Sequence, residues 1–148
     1  MTKHIGLSLV LVIALVALTA SVPNASASSE NLPTGIYSTT LTAADIPAEF
    51  PPEAVAILVG YWETEFTDSG SYIVTKDGFP VVVGRYNSNP GRVIMTDLQG
   101  ALSCTDAPGI ATAIYRWTLS GNELLLTTVK DRCAGRNLVL TAHPLEKE

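Results

Sequence analysis

The chain predicts an all-β fold, an antiparallel up-and-down barrel of eight strands with one short helix before the second strand. Three observations carry that expectation. Short runs of alternating apolar and polar residues succeed one another almost without interruption. The breaks between them hold turn chemistry: Asp68-Ser69-Gly70, Asp77-Gly78, Asn87-Ser88-Asn89-Pro90-Gly91, Gln99-Gly100 and Gly121-Asn122. Most connections are about two to five residues, which pairs each strand with the next, whereas a Greek-key sandwich needs some long crossovers. A sandwich is the alternative, but a closed meander also removes exposed edge strands.

Taken in order, Lys3 and His4 precede the apolar run Ile5 to Leu18, and Ala25-Ser26-Ala27 follows as a small-residue cleavage site. Residues 1–27 therefore read as a signal peptide. An apolar core of about 14–16 residues is too short for the roughly 20 that cross a bilayer, and Pro23 and Asn24 close it, so no stable membrane anchor is expected. Residues 28–34 are polar and contain Pro33, and are expected to be a disordered lead-in. A single domain over residues 35–143 and a tail at 144–148 complete the organisation.

Within the domain, Gly35 to Thr42 is rich in β-branched residues and reads as the first strand. Pro51-Pro52-Glu53 followed by Ala54 to Leu58 is a helix start. Strands are then expected over Tyr61 to Phe66, Ser71 to Lys76, Phe79 to Tyr86 and Arg92 to Leu98, with Ala101 to Cys104 as a short strand or bulged extension and Thr105 to Gly109 as a loop. The most sharply patterned stretch is Thr112 to Cys133. Ala113, Tyr115, Trp117 and Leu119 alternate with Ile114, Arg116 and Thr118, Gly121-Asn122 makes a tight turn, and Glu123 to Lys130 returns as the partner strand. Asn137 to Ala142 is expected to be the last strand.

Losing residues 1–27 leaves 121 of the 148 residues and removes one charge, Lys3, so the formal net charge moves from −5 to −6. An acidic chain with scattered basic residues argues against nucleic acid or an anionic membrane as a partner. Cys104 and Cys133 are the only cysteines, and in an exported chain an even pair reads as a disulfide. The location implied is secreted, outside the cytoplasm.

At Gly60-Tyr61-Trp62 the sequence resembles the lipocalin and fatty-acid-binding (calycin) pattern, in which Gly-x-Trp opens a barrel strand after a short N-terminal helix. Thr96-Asp97 resembles the family's Thr-Asp pair, although a full strand precedes Gly-x-Trp and Thr96-Asp97 comes earlier than the family's pair. The layout is also similar to that of small uncharacterised bacterial secreted proteins. The resemblance implies a lipocalin-like barrel closed by Trp62 stacking on Arg136.

Alternation along the second strand turns Trp62, Thr64 and Phe66 inward and Tyr61, Glu63 and Glu65 to solvent. Phe66, Tyr72, Tyr115 and Trp117 are then the candidate ligand-binding residues, an aromatic lining with a phenol to orient a polar end. Asp131, Arg132 and Arg136 gather around Cys133, where they would bridge turn carbonyls or pair across the barrel end; a buried Asp131 beside Arg136 could anchor an anionic headgroup. Glu63 and Glu65 read as solvated surface. There is no Ser-His-Asp set, no phosphate-binding glycine loop and no metal constellation, so no catalytic residue, metal or cofactor is assigned. Three functions are compatible: a secreted carrier of a small hydrophobic molecule, a filled barrel that binds another protein through its loops, and a barrel enzyme acting on a lipid. An internal void of roughly 300 Å³ or more separates the first and third from the second.

Overall fold

The computed structural model describes residues 31–148, so the segment read as a signal peptide lies outside the described residues. Eight strands form in chain order: β1 (Gly35–Leu41), β2 (Gly60–Phe66), β3 (Ser71–Lys76), β4 (Phe79–Asn89), β5 (Arg92–Gln99), β6 (Thr112–Ser120), β7 (Glu123–Lys130) and β8 (Leu145–Lys147). Each pairs antiparallel with its chain neighbour, and β8 also pairs with β1, closing an up-and-down barrel. A helix, α1 (Pro52–Leu58), precedes β2, and a second, α2 (Ala134–Thr141), lies between β7 and β8.

The turn residues take the conformations their chemistry suits. Asp77 and Gly78 both have positive φ, 50° and 83°, as a type I′ hairpin requires. Pro90-Gly91 links the paired residues Asn89 and Arg92, with φ 69° at the glycine, as in a type II turn. Pro52 opens α1, where its missing N–H would have had no helical partner. Strand alternation decides what faces the core. Trp62, Thr64 and Phe66 are buried while Tyr61 and Glu65 are exposed and Glu63 is half-buried, and Ala113, Tyr115 and Trp117 line the interior from β6.

The C-terminal expectation is corrected in two places. Residues 137–142 are not a strand but most of α2, and residues 144–148 are not a tail, because Leu145 to Lys147 form the closing strand with Leu145 buried. Asn137 to Thr141 is short and β-prone, yet Val139 and Leu140 are buried side by side, which a strand cannot do against one core. Gly135, Arg136, Val139 and Leu140 share one helix face at i, i+1, i+4 and i+5.

Two further boundaries shift. Residues 32–34 are packed, with Leu32 buried in the core, its N–H donated to Ser88 Oγ at 3.2 Å, and Pro33 O accepting from the Tyr37 hydroxyl at 3.0 Å. Asn87 to Asn89, expected in a turn, continue β4 opposite β5, so the polar run ends in a two-residue turn. Residues 101–104 form no strand.

Candidate functional site

In an up-and-down barrel, alternate connections fall at the same end. The β1–β2 link with α1, the 77–78 turn, the 100–111 connection and the β7–β8 link with α2 therefore share one end of this barrel. The opposite end carries the tight turns at 67–70, 90–91 and 121–122 and a polar pocket of about 460 Å³ lined by Leu32, Asp68, Tyr86 and Ser88, while large aromatic side chains are packed in the barrel interior there. Phe66 sits edge-on to Tyr37 and Tyr86, with ring centroids 6.0 and 5.0 Å away, and Trp117 lies 2% exposed with its indole N–H donated to Asn89 O at 3.1 Å.

The helical end is hollow. A cavity of about 320 Å³ lies between α1, the 100–111 connection and α2, over the barrel interior. Its walls are mainly apolar: Ile57 and Leu58 from α1, Trp62 from β2, Met95 from β5, and Leu102 and Val139 from above. The Trp62 indole N–H is satisfied by Leu58 O at 2.8 Å, which ties α1 to β2.

One side of the cavity is polar and is built from distant parts of the chain. Asp97 on β5 accepts hydrogen bonds from the Tyr72 hydroxyl and from the Cys104 N–H at 2.7 Å. Asp131, just after β7, accepts in the same way from the Tyr115 hydroxyl and from the Cys133 N–H at 2.8 Å. The two cysteines whose N–H groups are used are joined by a disulfide, Cα to Cα 6.1 Å. Arg136 on α2 bridges the two carboxylates. Its Nε and Nη2 donate to Asp131 at 3.0 and 2.7 Å, Nη1 lies 3.0 Å from Asp97 Oδ1, and the remaining donors reach Ala111 O and Ile110 O at 2.7 and 2.8 Å. Four of the five guanidinium N–H groups are thereby hydrogen-bonded within the protein, and Nη1 is also ion-paired with Asp97.

The side chains of Arg136, Asp97 and Asp131 are 7%, 1% and 0% exposed, so these charges interact with little screening from water. Burial, then the hydrogen bond and charge of Asp97, hold the Tyr72 phenol far above its ordinary value, and burial with Asp131 does the same for Tyr115. Burial alone would lower the Arg136 guanidinium, but its bonds to Asp131 and the charges of both carboxylates raise it. A glycine makes room for this arrangement. Gly84 on β4 pairs with Tyr72, and a Cβ there would lie 2.3 Å from Tyr72 Cζ.

Of the four residues expected to line a ligand site, Tyr72 reaches the cavity, whereas Phe66, Tyr115 and Trp117 are buried in the core outside its lining. Trp62 and Arg136 both face the cavity, but the cation over the Trp62 ring is Lys76, 5.9 Å from its centroid. The guanidinium takes two buried carboxylates in place of the indole face, because a charged acceptor in a poorly screened site outweighs a ring quadrupole. The expected structural role of Arg136 beside Asp131, bridging turn carbonyls, is what its contacts show. Sequence reasoning missed the cavity walls supplied by α1, although Ala54, Ile57 and Leu58 carry a helical i, i+3, i+4 apolar spacing.

Among the described residues, no group of three or more His, Cys, Asp and Glu side chains is placed to hold a metal ion, and no helix is long and apolar enough to cross a membrane. The disulfide suits an oxidising compartment outside the cytoplasm. No protein-family model, curated protein or solved structure matches the chain.

Proposed function

We propose that this protein is a secreted, lipocalin-like carrier that takes one small hydrophobic molecule into the cavity beneath α1 and α2. The observation that carries the reading is the cavity itself. At about 320 Å³ it exceeds the threshold that separates a carrier from a filled barrel, it is walled mainly by apolar side chains, and a few polar groups converge on one side of it. The candidate ligand-binding set moves accordingly from Phe66, Tyr115 and Trp117 to Trp62, Tyr72, Met95, Leu102 and Val139.

The test is a titration with octanol, a neutral amphiphile, in a Trp117→Phe background where Trp62 is the remaining tryptophan. Emission should change saturably with an affinity in the micromolar range, and Ala54→Phe, which places a ring in the cavity wall, should abolish the change while the protein stays folded. A flat titration removes the carrier reading and favours the second one, protein binding through the turns at 67–70 and 90–91 and the loop at 105–109. The observation on the side of that second reading is the filled core at the 67–70 and 90–91 end of the barrel.

A further inference from the structure

We infer that the cavity selects an amphiphile whose head is cationic or donates hydrogen bonds, such as an alkylamine, and rejects the carboxylate head of a fatty acid. This deepens the carrier reading and rests on it. The polar side of the cavity is formed by Tyr72, Asp97, Ser103, Asp106 and Arg136. What matters is which donors and acceptors remain free there.

Arg136 is the one cation in this set, and its guanidinium is committed within the protein, through four hydrogen bonds to Asp131, Ala111 O and Ile110 O and an ion pair with Asp97. Its charge is also outweighed locally, with Asp131 at 2.7 Å and Asp97 at 3.0 Å. The Tyr72 hydroxyl hydrogen is committed to Asp97, and the Ser103 hydroxyl donates to Gly100 O at 2.8 Å. Asp106 has no ion-pair partner among the described residues. Lys76, over the Trp62 ring, is paired with Asp77.

What the wall can still offer a ligand is therefore mainly acceptors: lone pairs on the Tyr72 and Ser103 oxygens and the Asp106 carboxylate. A carboxylate head placed there would meet mainly acceptors and a surplus of negative charge. An ammonium head would find partners for its three N–H groups and a field of the right sign.

Octylamine, octanol and octanoate share a chain and differ only in the head, so comparing them at neutral pH through Trp62 emission isolates this effect. Octylamine should bind at least about tenfold more tightly than octanoate, the lower end of what one neighbouring opposite charge is worth, with octanol between them. Asp106→Asn, on an exposed loop, should shrink the ratio by about threefold, as removing one solvent-exposed charge pairing would. If octanol binds and octanoate equals or exceeds octylamine, the head-group inference is wrong and the carrier reading survives. If none of the three binds saturably, the carrier reading fails and takes this inference with it.

Discussion

Replacing Arg136 with methionine tests the centre of this structure, because the new side chain keeps the apolar stem and removes a guanidinium that serves four acceptor groups at once. The wild-type side chain is 7% exposed and bridges two carboxylates that are 1% and 0% exposed. Without it, Asp97 keeps only the Tyr72 hydroxyl and Cys104 N–H, Asp131 keeps only the Tyr115 hydroxyl and Cys133 N–H, and two carbonyl oxygens lose their donor. Removing one partner of a buried ion pair costs about 3–5 kcal/mol, mostly because an uncompensated charge stays behind. At about 4 °C per kcal/mol for a domain of this size, Tm should fall by roughly 12–20 °C. Thermal melts followed by circular dichroism with the disulfide intact read this directly. Arg136→Lys should recover only part of the loss, since three donors on a point charge cannot reproduce a five-donor fork. A loss below about 1 kcal/mol for Arg136→Met would refute the buried bridge, placing the residue with ordinary exposed ion pairs.

Reducing Cys104–Cys133, which are 29 residues apart, should destabilise the fold by about 3–4 kcal/mol in the chain-entropy model and lower Tm by more than 10 °C; unchanged melting with and without reductant would contradict it. Alkaline pH should unfold the protein through Tyr72 and Tyr115. Their phenols ionise at higher pH in the folded chain than in the unfolded one, so their contribution is complete below the unfolded value of 10.0 and declines as pH rises beyond it. Together they should contribute up to about 2.7 kcal/mol per pH unit to the slope in urea titrations, a contribution the Tyr72→Phe, Tyr115→Phe double variant should lose while keeping that of other raised tyrosines such as Tyr37 and Tyr86. Gly84→Ala should cost about 1–3 kcal/mol by pushing against the Tyr72 ring and the Thr96 backbone oxygen, and a neutral result in urea unfolding would mean that both have room to spare.

The barrel was legible because burial along a strand has a period of two. Trp62, Thr64 and Phe66, or Ala113, Tyr115 and Trp117, declare their face without knowledge of any partner. What was hidden depends on partners. Asn137 to Thr141 carries no local sign of helix strong enough to override its β-prone residues, and the helical spacing emerges once Gly135 and Arg136 are known to face the same cavity. A three-residue strand such as β8 has no period to detect, and Leu32 is a single apolar residue in a polar run. Asp131 and Arg136 were readable as a pair because they are near in sequence, whereas Asp97 and the Tyr72 and Tyr115 hydroxyls join them only through closure of the barrel. The same closure decides that Phe66 and Trp117, expected to line a site, instead fill the far end, while Tyr72 reaches the cavity.

Ligand binding and stability should be coupled here, because the elements that roof the cavity are the ones held by the Arg136 bridge and the disulfide. The 100–111 connection supplies Leu102 and Ser103 to the wall and Cys104, Ile110 and Ala111 to the anchoring network, and α2 supplies Val139 to the wall and Arg136 to the network. A ligand that needs this roof binds the folded chain and not the unfolded one. At a free concentration a hundred times its Kd it adds about 2.7 kcal/mol, which raises Tm by roughly 10 °C. Octylamine should therefore raise Tm with concentration, and Ala54→Phe should remove the dependence by occupying the space. If Trp62 emission changes on titration while Tm stays fixed at saturating octylamine, the ligand is touching a surface that folded and unfolded chains present equally, and the roofed cavity is not where it binds.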